Sequence, residues 1–143
     1  MLRDHGVAFT LVDHPWMYRI DHLMEKVDPV TAEFVFVRWL GDRRKIEEMT
    51  DTWDRLVINR TEDLLGWVPV FQDVLERKVH VLAYFNNHYA GHAPASVRML
   101  QDMLAKVGEN KGGKRLPVHH LVASLPSIAF ARADSLAASS SFS

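Results

Sequence analysis

The chain has 143 residues, 48% of them hydrophobic, and a formal charge of -1, which suits one globular domain and gives no global electrostatic case for nucleic acid or membrane. It has no cysteine, which excludes a disulfide scaffold and a thiolate metal site. No apolar run approaches the roughly 20 residues of a membrane span, and Asp4, His5 and Asp13 interrupt the stretch where a signal peptide needs an apolar core, so a soluble cytoplasmic protein is expected.

Residues 7–12, VAFTLV, form the first strand candidate, which Pro15 prevents from continuing. A connection with a short helical turn follows over 18–29. Residues 33–39, EFVFVRW, are an almost continuous apolar run, as expected where both faces of a parallel strand are covered. The charged stretch 42–54 reads as a long loop or loop helix over the strand ends. Asn59 is placed to cap a helix over 60–77, with Glu62 as reciprocal partner. That helix offers Leu64, Leu65, Trp67, Val68, Phe71, Val74 and Leu75 for burial, and Gly66 and Pro69 should bend it.

Residues 79–85, VHVLAYF, read as a third strand, and Pro94 fits the first turn of a helix over 95–107 that closes at Gly108. The segment between them, from Asn86 to His92, is therefore a strand-to-helix loop, the place where α/β proteins bind ligands. Alternation of strand and helix predicts an α/β fold with a parallel sheet. The GENKGGK stretch at 108–114 reads as a linker and SLAASSSFS at 135–143 as a disordered tail, with an apolar segment at 116–131 between them.

Four motifs carry a family resemblance: VDHPW at 12–16, TAEFVFVRW at 31–39 with Gly41 and Asp42, WDRL at 53–56, and above all YFNNHYAGHAP at 84–94. Together they resemble the carboxyl-terminal part of the domain of unknown function 72 family, also called YecE-like. The resemblance implies a partial TIM-type (β/α)8 barrel ending near residue 107, with 9–13, 34–38 and 79–86 as the last three of its strands. It also implies that the chain is a fragment, whose missing barrel half must come from a partner or whose open edges drive self-association. No activity follows from the family.

Neighbouring parallel strands lie about 4.8 Å apart, so residues at one level on adjacent strand ends are candidates to meet. Asp13, Arg38 and Asn86 are the catalytic candidates on that ground: Arg38 as an anion clamp, Asp13 as its orienting carboxylate or a general base, Asn86 as a donor. A buried ion pair and amide network closing the barrel is the structural alternative. Ligand-binding candidates are His14, Trp16, Trp39, Gly41, Asn87, His88, Gly91 and His92. The tryptophans would offer rings around the mouth, and the glycines close backbone approach.

The histidines have metal-compatible chemistry, but Gly91 interrupts any helix through His88 and His92, so no metal and no cofactor is expected. An anionic ligand is expected between Gly41 and the 91–95 turn, at the start of the last helix. Three readings remain: a barrel enzyme acting on a phosphorylated or otherwise anionic substrate, with phosphoester hydrolysis as its reaction, then a non-catalytic binder of nucleic acid or another anionic polymer, and last a non-functional gene fragment. The basic run Arg43, Arg44 and Lys45 is short for the second and is offset by Glu47 and Glu48.

Overall fold

The computed structural model describes residues 1–110, and the expectations for 111–143 lie outside them. Strand β1 is Thr10–Asp13, β2 Phe34–Trp39 and β3 His80–Phe85. The helices are α1 Ile20–Met24, α2 Arg43–Glu47, α3 Thr61–Glu76 and α4 Ala93–Asn110, with short 3-10 turns at Arg3–His5 and Asn87–Tyr89. The strands form a parallel sheet in the order β1-β2-β3, which is the α/β architecture that the alternation predicts.

Only one face of that sheet is buried among the described residues. Leu11, Val35, Val37, Trp39, Val81, Ala83 and Phe85 alternate along the three strands onto one side. There they pack against Leu64, Trp67, Phe71 and Val74 of α3 and Val97, Leu100 and Leu104 of α4. The residues between them, Thr10, Phe34, Arg38 and His80, are exposed, while Val12, Phe36, Leu82 and Tyr84 are half-buried. The expectation that both faces of β2 are covered is therefore corrected. The run looked continuous because Phe34 and Phe36 are apolar, yet they point to the uncovered side.

The local signals account for most boundaries. β1 is shorter than the run 7–12 because the Thr31 hydroxyl donates to the Val7 carbonyl at 2.7 Å and accepts from the Phe9 N–H at 2.8 Å, replacing ladder partners. The expected Asn59 cap is corrected: α3 begins at Thr61, one residue later than expected, so Arg60 holds the cap position with no side-chain capping bond, while Asn59 accepts from the Thr61 N–H at 2.9 Å from one residue further out and Glu62 makes no reciprocal bond. Helix α3 passes through Pro69 as one element, and Leu65 on its outer side is 47% exposed instead of buried. Pro94 lies in the first turn of α4, and the helix continues through Gly108 to Asn110.

Candidate functional site

The polar residues collect where the strands end, on three loops held together by backbone bonds. The Asn86 N–H donates to the Trp39 carbonyl at 2.8 Å, and the Leu40 N–H donates to the Asp13 carbonyl at 3.0 Å, so the ends of all three strands are tied side by side. Gly41 sits at φ +71°, a conformation that favours glycine, and a Cβ there would overlap the His88 carbonyl oxygen. Gly91, at φ +105°, packs in the same way against the backbone of Arg55 and Val57.

Register decides which candidates meet. Arg38 pairs across the sheet with Val12 and Tyr84, whereas Asp13 pairs with Trp39, one position on. A one-residue offset in a strand turns a side chain to the other face, so Asp13 and Arg38 point to opposite sides of the sheet. The expected Asp13–Arg38 pairing is not formed. Arg38 is exposed on the uncovered face and has no hydrogen bond or ion pair among the described residues.

Asp13 instead accepts a hydrogen bond from Trp67 Nε1 at 2.9 Å, reaching 54 residues along the chain to α3. Burial raises its carboxyl above the usual range, only partly opposed by the Trp67 bond, and the nearby Asp63 raises it further. A cleft of about 250 Å³ opens beside it, walled by His14, Ile20, Arg60, Asp63 and Trp67.

The third loop is self-supporting. Asn86 Oδ1 accepts from the His88 N–H at 3.0 Å and lies 2.7 Å from His88 Nδ1, so Nδ1 carries the proton in that contact. His88 Nε2 is 3.4 Å from Glu47, and the ring stands edge-on to Trp53 with centroids 4.9 Å apart. Arg43 donates to Glu47 at 2.8 Å, and that bond holds the Glu47 carboxyl below its usual range, with help from His88. Glu47 also borders a wider cleft of about 750 Å³ together with His14, Trp16, Asp42 and Arg44.

Several ligand-binding candidates have structural duties here. Asn87 Oδ1 accepts from the Ala93 N–H at 2.8 Å and so caps α4, while the Val57 and Ile58 N–H groups cover the Ala90 carbonyl. Gly91 lies against the backbone of Arg55 and Val57, and Gly41 against that of His88 and Tyr89. Trp39 is fully buried, stacked on Phe85 with centroids 4.0 Å apart, and offers no ring to the mouth. Trp16 does, being 90% exposed, with the His14 ring edge-on at 5.1 Å. The His92 carbonyl accepts from both the N–H and the hydroxyl of Ser96 at 3.2 Å, and its ring is half-buried.

Glu47, Arg60, Asp63 and Trp67 were not among the candidates. Glu47 had a signal, its spacing of four from Arg43 in a loop helix, whereas nothing local marks Trp67 as the partner of Asp13. No cluster of three or more His, Asp or Glu among the described residues could hold a metal ion. No helix among them is long and apolar enough to cross a membrane.

The described residues form a mixed α/β fold, a three-stranded parallel sheet with polar groups on the loops after its strands. More particularly, the chain belongs to the family described as Protein of unknown function DUF72, whose model matches residues 1–120. No curated protein and no solved structure matches it.

Proposed function

We propose that this chain is the carboxyl-terminal part of a YecE-like TIM-type barrel, and that its strand-end mouth binds a phosphorylated or otherwise anionic ligand, with phosphoester hydrolysis as the reaction class. Three parallel strands in sequential order, covered by helices on one side alone, suit a barrel segment whose other side faces the lumen. The single observation that carries the ligand reading is Arg38. It is an exposed guanidinium at the carboxyl end of the central strand, on the lumen side, without an anionic partner among the described residues.

An unengaged guanidinium offers a bidentate fork that fits a phosphate or carboxylate. The side-chain amide of Asn86, one strand over, and His14 and Trp16 on the loop after β1 complete the mouth. In this arrangement Asp13 takes no part in holding Arg38.

The test is a titration of the isotope-labelled full chain with inorganic phosphate, p-nitrophenyl phosphate and a single-stranded oligonucleotide, following backbone resonances. The expectation is saturable shifts at Arg38 and Asn86 with both phosphates, p-nitrophenol release, and loss of both in Arg38→Met. Phosphate affinity unchanged in Arg38→Met would overturn the reading. Salt-dependent oligonucleotide binding without turnover would replace it with the non-catalytic one.

A further inference from the structure

We propose that the 250 Å³ cleft on the helix side of the sheet is a second binding site, for a small organic cation whose ammonium group is held by Asp13 and whose body is apolar. The reasoning starts from the charges on its wall. Asp63 is paired with Arg60 at 3.0 Å, and Arg60 also donates to the Tyr89 carbonyl at 3.0 Å, with its guanidinium over the Tyr89 ring at 5.1 Å. Arg19 is paired with Asp21 at 3.4 Å. Asp13 is the one charged wall residue with no opposite charge bound to it.

Its two oxygens differ. Oδ2 takes the indole N–H of Trp67, while Oδ1 has no hydrogen-bond partner among the described residues. A half-buried carboxylate with a free oxygen selects for a donor, and a charged donor makes a hydrogen bond roughly twice as strong as a neutral one. Asp63 and Arg60 offset each other on the wall, so the charge left without a bound partner is that of Asp13. The remaining surface, from Met17, Tyr18, Ile20 and Trp67, suits an apolar body, and the two aromatic rings add attraction for a cation.

The Trp67 bond does not by itself call for a carboxylate, because an asparagine oxygen would accept it equally. The cleft adjoins the mouth at His14, but Asp13 and Arg38 themselves occupy opposite faces of the sheet.

The experiment uses benzylamine, charged at neutral pH, as the probe, with benzyl alcohol as its neutral isostere, and reads the Trp67 indole N–H resonance of the full chain. Benzylammonium is expected to move that resonance saturably, and benzyl alcohol to bind more weakly by roughly tenfold or more. Asp13→Asn should weaken benzylammonium by a similar factor while leaving phosphate binding unchanged, whereas Arg38→Met should leave benzylammonium binding unchanged. An unmoved Trp67 resonance, equal affinity for the two probes, or equal benzylammonium affinity in Asp13→Asn would each overturn the proposal. The probe comparison needs only the natural chain, so the test stands even if the variant misfolds.

Discussion

Arg77, just past the end of α3, reaches back 49 residues to hold Asp28 with both terminal nitrogens, at 2.9 and 3.1 Å. Arg3 binds the same carboxylate at 2.5 Å, and Asp28 also accepts from the Val30 N–H at 3.0 Å. Three segments distant in sequence are thereby joined next to β2, at the end of the sheet away from the loops.

The first prediction follows from that junction. The Arg77 bond, supported by Val30 and Arg3, holds the Asp28 carboxyl well below the ordinary carboxylate range, so folding favours its charged form. The stabilisation is present at all pH values above the unfolded-state value of about 4 and is lost as pH falls below it. Both partners are more than a third exposed, so solvent screening limits the contribution to about 1 kcal/mol. Urea titrations of Asp28→Asn should show a loss of that size at pH 7 that shrinks toward zero in acid. A loss independent of pH would contradict the assignment.

The second concerns Gly41. An alanine there meets the His88–Tyr89 backbone and must hold a left-handed conformation, so Gly41→Ala should cost about 2 kcal/mol or more. The damage should appear as altered resonances for His88, Tyr89 and Glu47, since the loops after β2 and β3 share that contact. A variant with natural stability and an unmoved His88 would show that the two loops are not locked together.

How much of this was legible beforehand differs by element. The three strands, the helix through Trp67 and Phe71, and the loop carrying Asn86 to His92 all follow from local periodicity and from Pro94, which depend on neighbours in sequence. The side on which a residue faces at a strand end does not. Asp13 and Arg38 seemed adjacent because both end a strand, but the register places Asp13 level with Trp39, and register is a tertiary property. The fate of Asn87 and Gly91 was equally hidden. Their partners are Ala93, Arg55 and Val57, and loop geometry that leaves no periodic trace brings them together.

The third prediction tests the uncovered face. Phe34 and Phe36 lie on it, with the Phe36 ring 5.3 Å from that of Tyr84, and both edges of the sheet, β1 and β3, lack a strand neighbour among the described residues. Apolar surface of that kind drives association, so the isolated chain should sediment as oligomers at micromolar concentration. Phe34→Lys combined with Phe36→Thr should reduce the association without lowering the thermal midpoint, because neither side chain is in the buried core. Val35→Ser, on the helix-covered face, should unfold the chain. A monomeric natural chain with a cooperative transition would sink the expectation.

The last prediction concerns Asp13, whose raised carboxyl makes the opposite case from Asp28. A carboxyl that folding pushes up favours the folded state below its unfolded value of about 4, and that advantage is lost as pH rises through the folded-state value. At neutral pH the charged form is therefore a burden on the fold. Asp13→Asn keeps an oxygen for Trp67 Nε1 and removes the charge, so it should raise the thermal midpoint at pH 7. The gain over the natural chain should narrow as the buffer is taken below pH 4, where Asp13 is itself neutral. Differential scanning calorimetry at a series of pH values measures this directly. A destabilised Asp13→Asn at pH 7 would mean that the carboxylate's charge, through Arg60 or Arg19, contributes more to the fold than its burial costs.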